Sequence, residues 1–242
     1  MKKFKIILLS FILGLTACAE LAPYLEAGAD VASAAGYGNQ ANVVRGVKEA
    51  LELGSSRAAT QLSSAGGYSN SSLYRIALPE NLQPITSRLR QFGLGGQLDK
   101  VESLMNQGAE KAAAEAQVVL VDAVRNMSVT DALGIVRGND TAATDYFRQQ
   151  TESSLRSRYL PIIQENLQKI GFYDQYKTML STYDKLPISD KPNLDLEQHV
   201  LVKSLDALFS QIAVEEQSIR QDPVGRGTAL ISSVFLGGNN NQ

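Results

Sequence analysis

His199, Lys203, Asp206 and Ser210 recur at intervals of four, three and four residues, which puts them on one stripe of a helix. The set holds an imidazole, a cation, a carboxylate and a hydroxyl, the groups that acid–base and nucleophilic chemistry use. Arg148 or Arg158, from another helical stretch, could face this stripe across a groove. Two readings follow. One is a binding stripe. The other is a hydrolase built on His199, Asp206 and nearby Ser or Arg side chains. A solvated helix face explains the same pattern more simply.

Other arrangements lack a requirement of the chemistry they resemble. His199 is the single histidine, so a serine triad must include it. Gly67-Tyr68-Ser69-Asn70-Ser71 lacks the second glycine of a nucleophile elbow and follows no strand. Asp184, Asp190, Asn193, Asp195 and Glu197 could surround Ca²⁺, but they miss the alternating acidic spacing and the turn glycine of a calcium loop. Capping and turn roles account for Asn193 and Asp195. Gly93-Leu94-Gly95-Gly96 lacks the Gly-Lys-Ser/Thr ending of a phosphate loop and makes a corner between helices. Glu215 and Glu216 diverge by about 100° on a helix, so they cannot share a substrate. Glu216 and Arg220 instead suit an i,i+4 surface pair. No metal and no cofactor are expected.

Cys18 is different in kind. Lys2, Lys3 and Lys5 precede an apolar run from Ile6 to Leu15, which closes on Leu15-Thr16-Ala17-Cys18. Such a run is half the roughly 20 residues needed to span a bilayer, and it fits the core of a secretory signal. Leu-Thr-Ala-Cys resembles the bacterial lipobox, in which the thiol is alkylated by diacylglycerol before the chain is cut. Residues 1–17 are therefore expected to be a signal peptide, with Cys18 carrying lipid and tying the protein to a membrane. Ala19, rather than Asp, suggests release to an outer membrane, with the domain facing the periplasm.

With Lys2, Lys3 and Lys5 removed, the formal charge of −2 becomes about −5. An acidic body without a basic block argues against nucleic-acid binding. Acylating the only cysteine leaves none for disulfides, so packing alone must stabilise an exported fold.

The elements that must position these groups read as helices. Residues 18–39, rich in Ala and Gly, form a tether. Val44, Val47, Leu51, Gly54, Ala58 and Leu62 then mark a helix that Gly66-Gly67 stops. Pro79 opens a helix faced by Leu82, Ile85, Leu89 and Phe92. Leu98, Val101, Met105 and Ala109 open the next, and the run Val118 to Val124 reads as a buried helix. Ser128 caps a short helix that ends at Gly138. Asn139 or Asp140 caps another from Thr141 towards Gly171, with a kink or break at Pro161. Residues 172–183 give a short tyrosine-bearing helix and 187–194 a polar loop. The strongest helix runs from Asp195 to Gln221 on Leu201, Leu205, Leu208, Phe209, Ile212 and Ile219. Asp222-Pro223 stops it and caps the last helix, which carries Leu230, Ile231, Val234 and Phe235. Residues 237–242 are expected to be a disordered tail. The fold expected is all-α: one domain of eight or nine helices over 40–236.

Several blocks carry a resemblance. They are Gly46-Val47-Lys48-Glu49-Ala50-Leu51, Ile76-Ala77-Leu78-Pro79, Ala123-Val124-Arg125-Asn126-Met127-Ser128 with Asp131-Ala132, and Ala142 to Arg148. Tyr159-Leu160-Pro161-Ile162, Lys203 to Phe209, Ile212 to Glu216 and Ile219 to Pro223 complete the set. Together they resemble the bacterial lipoproteins catalogued as domain of unknown function 4197, over about residues 42–236. Similar proteins tend to have Tyr where this chain has His199. The resemblance implies a helical exported lipoprotein and brings no activity. The function expected is a lipid-anchored envelope module, non-enzymatic, binding a protein, an envelope component or an apolar ligand. The alternative is the envelope hydrolase at His199 and Asp206.

Overall fold

Leu196–Gln221 buries twelve residues around most of its circumference and leaves one narrow stripe outside. A helix this apolar must be surrounded, and the rest of the molecule is arranged to do that. The computed structural model describes residues 40–169 and 195–238, with Gly171, Tyr173, Asp174, Lys177, Thr178, Ser181 and Lys185 between them. The expected signal, Cys18, the tether, most of the 172–183 helix and the 187–194 loop lie outside the described residues.

In chain order, α1 spans Gln40–Ser63, α2 Gln83–Gln91, α3 Gly95–Ala113, α4 Ala116–Arg125 and α5 Val129–Arg137. Then come α6 Ala142–Lys169, α7 Leu196–Gln221, the single turn α8 Pro223–Arg226, and α9 Ala229–Gly238. A 3₁₀ turn, Glu80–Leu82, precedes α2. The described residues contain no strand, so the fold is all-α, in one domain. α7 lies against α1, α3 and α6, while α9 closes over α1. Leu201, Leu205, Leu208, Phe209 and Ile212 join Val47, Met105, Phe147 and Tyr159 in one core.

Local signals explain the helix ends. Ser128 Oγ accepts from the Asp131 amide while the Asp131 carboxylate accepts from the Ser128 amide, a complete capping box. Asp195 caps α7 through the Gln198 amide at 3.0 Å, and Asp222 caps α8 through the Gly225 amide at 2.9 Å. Gly66 closes α1 at φ 85°, a conformation that L side chains resist.

Several expectations need correction. Val43 is fully buried and Val44 only partly so, because α1 turns its deepest face through Val43, Gly46, Val47 and Ala50. Phe92 does not line α2: the helix ends at Gln91 and the ring is 68% exposed. The run Val118 to Val124 is helical, but Val118 is 53% exposed; only Val119, Leu120 and Val124 are buried there. Gly138 ends α5 with φ −79°, not left-handed, and a Cβ there would collide with Ala142 Cβ. Close approach of α5 to the start of α6 is what requires glycine. No break occurs at Pro161, which is exposed, so water can satisfy the Ser157 carbonyl that proline leaves without an amide. α9 runs to Gly238, so Gly237 and Gly238 belong to the helix rather than to a tail.

Candidate functional site

The outer stripe of α7 is His199, Lys203, Asp206 and Ser210 along one line, with the last three exposed and His199 half-buried. Residues 73–80, part of the connector between α1 and α2, stand opposite. The two walls enclose an open polar groove of about 540 Å³, lined also by Leu73, Arg75, Ala77 and Glu80. That volume lies within the roughly 300–1,000 Å³ typical of ligand sites.

Each wall is held by specific bonds. The connector is fixed from beneath by α3, which presents Glu102, Asn106 and Glu110 at successive turns. Glu110 Oε1 accepts from the Gly66 amide at 3.1 Å and from the Tyr68 amide at 3.4 Å. Asn106 meets Ile76 twice at 2.9 Å: Oδ1 accepts from its amide and Nδ2 donates to its carbonyl. Glu102 accepts from the Leu78 amide at 3.1 Å and from Arg75 at 3.0 Å. Tyr68, wholly buried, donates its hydroxyl to the Ser204 carbonyl of α7 at 3.2 Å. Its pKa is raised, first by burial and then by Glu110, so it remains a neutral donor.

Across the groove, His199 Nε2 lies 2.9 Å from the Ala77 carbonyl. A carbonyl only accepts, so Nε2 carries the proton and Nδ1 is the free acceptor of the neutral ring. Its pKa is lowered by burial, opposed by the Ala77 bond and reinforced by Lys203. Asp206 pairs with Arg148 at 3.6 Å, and Arg148 also reaches Glu152 at 3.8 Å and stacks 4.5 Å over the Phe209 ring. Arg148 therefore stands at the edge of the stripe. Arg158 does not. It lines a separate cleft with Asp122, Asn126, Asp131 and Tyr146, on another side of α6.

The groove brings His199, Lys203, Asp206 and Ser210 together on one wall without bringing them into contact. A rise of 1.5 Å per residue sets Ser210 roughly 16 Å along the axis from His199, far beyond a nucleophile–base hydrogen bond. The serines of 67–71 have other work: Ser69 donates to Glu110, and Ser71 Oγ accepts from the Leu73 and Tyr74 amides. Among the described residues no acidic, histidine or cysteine cluster is arranged to hold a metal. Asp195 is occupied as a cap and Glu197 accepts from the Tyr173 hydroxyl at 2.7 Å. Asp184, Asp190 and Asn193 lie outside the described residues.

Residues 38–236 match the model of a family described as protein of unknown function (DUF4197). The chain belongs to that family. No curated protein and no solved structure matches it. The span shared with the family includes both groove walls, 73–80 and 199–210, and Cys18 falls outside it.

Sequence reading missed Glu102, Asn106 and Glu110, the polar residues that shape the site. Their i, i+4, i+8 spacing was available as a signal, running beside the apolar line of Leu98, Val101, Met105 and Ala109. A polar line that close to a core face has to be paired when the helix is buried.

Proposed function

We propose that this chain is a lipid-anchored cell-envelope protein whose helical domain is a non-enzymatic interaction module, and that the groove between 73–80 and α7 holds a protein partner. The observation that carries the reading is the groove itself, in which an exposed helix stripe faces an exposed stretch of backbone. Protein partners use such mixed surfaces of side chain and main chain. An apolar ligand is less well served. The apolar cavity beside Phe147, Ile212 and Phe235 has about 20 Å³ of free space, room for a single water. Among the described residues no helix is long and apolar enough to cross a membrane. The anchor proposed is acylated Cys18, and Ala19 after it supports an outer-membrane location facing the periplasm.

A photo-crosslinking amino acid at exposed Ser210, used in intact cells, tests the groove. The expected product is a discrete adduct with another envelope protein, identified by mass spectrometry. Equal labelling from Gln217, exposed on α7 but outside the groove, would remove the groove as the site. Separately, Cys18→Ser should abolish labelling by radioactive palmitate and release the protein from the membrane fraction. A Cys18→Ser protein that stays membrane-bound would end the anchor proposal.

A further inference from the structure

The connector behaves as a strand without a sheet. Tyr74, Ile76 and Leu78 are buried while Arg75 and Ala77 are exposed, an alternation with the strand period of two. Pro79 favours an extended Leu78 before it. In such a segment, successive residues turn their amide and carbonyl to opposite edges. The inner edge is held by α3: Ile76 is bonded through both groups to Asn106, and the Leu78 amide to Glu102.

The outer edge, facing the groove, is half-used. The Arg75 amide returns to the Ser71 carbonyl at 3.2 Å, and the Ala77 carbonyl accepts from His199. The Arg75 carbonyl and the Ala77 amide have no hydrogen-bond partner among the described residues. These two groups flank Ile76. A parallel strand uses such a pair, placing one residue between them with its amide on the first and its carbonyl on the second. An antiparallel strand can bond to the same two groups across a wide pair at Ile76, so the two free groups accept a strand of either direction. The available edge offers one acceptor and one donor to an added strand.

Charge then narrows the occupant. Arg75 is paired with Glu102 and Asp206 with Arg148, but Lys203 has no carboxylate within salt-bridge distance among the described residues. Glu80, at the Pro79 end of the groove, likewise has no cation and repels an acid placed there. Leu73, 79% exposed, offers an apolar contact at the opposite end. We infer that residues 75–77 are a docking edge to which a partner protein adds an extended acidic segment as a strand, with a carboxylate on Lys203. This rests on the groove being the partner site.

The test screens the full chain, in detergent micelles, against a bead-displayed library of random nonapeptides. Retained peptides are titrated against wild type, Ala77→Pro and Lys203→Glu. Acid-bearing peptides should be retained. Ala77→Pro, which removes an amide with no internal partner, should weaken them about three- to tenfold. Lys203→Glu should reverse the preference towards basic peptides. Because proline also fixes φ, amide exchange at Ala77 is followed in wild type, where bound peptide should slow it. Unchanged exchange at Ala77 on binding overturns strand addition, and so does retention of basic or uncharged peptides only. If no peptide is retained while Ser210 still crosslinks a partner in cells, the docking edge fails and the groove stands. An intramolecular adduct from Ser210 to residues 19–39 would give the edge to the chain's own N-terminal segment and overturn the partner strand.

Discussion

Glu216 on α7 accepts from the amides of Ala143 and Thr144, the first turn of α6, at 2.9 Å each, and from the Thr144 hydroxyl at 2.8 Å. The leading amides of a helix have no partner within it, and the helix dipole favours a carboxylate there. Arg220 neutralises the same carboxylate at 2.8 Å and donates to the Ile135 carbonyl in the last turn of α5, also at 2.8 Å. One pair of side chains, 7% and 13% exposed, thus holds the end of α5 and the start of α6 onto α7.

Removing the carboxylate takes the acceptor from two amides and the Thr144 hydroxyl, and leaves Arg220 with the Ile135 carbonyl but no counter-charge. Glu216→Ala is expected to destabilise the fold by about 3–5 kcal/mol, the range for breaking a buried pair from one side. Arg220→Met leaves the carboxylate three donors and should cost about 1–3 kcal/mol. Urea unfolding of both variants decides it. An Arg220→Met loss larger than the Glu216→Ala loss would mean that the cap matters less than the ion pair.

Asn106 is 1% exposed, and its amide group stands in for a neighbouring strand at Ile76. Asn106→Leu keeps the branched shape but is bulkier, and it strands one buried donor and one buried acceptor, so a loss of about 2–4 kcal/mol is expected. Amide exchange should accelerate at Ile76 and Leu78 well before it does along α7. Uniform acceleration through the whole chain would show that the connector is not held separately.

What the sequence made legible, and what it hid, follows from the range of each interaction. The core face of α7 was readable because Leu201, Leu205, Leu208, Phe209 and Ile212 repeat within one helix. The box of Ser128 and Asp131 was readable because it closes over three residues. Glu216 and Arg220 looked like a surface pair because the amides that bury them are more than 70 residues away. The stripe at His199 had a period; the connector opposite, fixed by side chains of α3, has no helical one. Arg148 and Arg158 are ten residues apart on α6, so they point about 80° apart, and only one can face the stripe.

Gly46 and Gly108 test how tightly the helices meet. A Cβ at Gly46 would lie 2.6 Å from Val234 Cγ2 and 3.3 Å from the Leu230 carbonyl oxygen. Val234 is β-branched and 1% exposed, so it cannot turn aside. At Gly108 the nearest atom, at 2.8 Å, is the terminal Cδ2 of Leu167, the end of a flexible side chain. Replacing glycine by alanine within a helix gains up to about 1 kcal/mol. Gly108→Ala should therefore fall within about 1 kcal/mol of wild type, while Gly46→Ala loses about 1–3 kcal/mol to overpacking. Thermal melts compare them directly, and equal melting temperatures would show that α9 yields to α1.

His199 gives stability a pH dependence whose sign can be worked out. Burial, helped by Lys203 and opposed by the Ala77 bond, lowers its folded pKa below the roughly 6.5 of the unfolded chain. Between the two values the unfolded chain binds the extra proton, so folding weakens as pH falls. The contribution is fully present above about pH 6.5 and is lost as pH falls through the folded value. Protonation does not break the Nε2–H bond to Ala77, since the cation keeps that donor. The loss comes from charging a half-buried ring beside Lys203. His199→Gln keeps a donor for Ala77 and cannot titrate, so its stability should be flatter than wild type below about pH 6.5 and parallel to it above. Curves that stay parallel throughout would mean that the ring charges as easily in the groove as in water, and that the connector does not bury it.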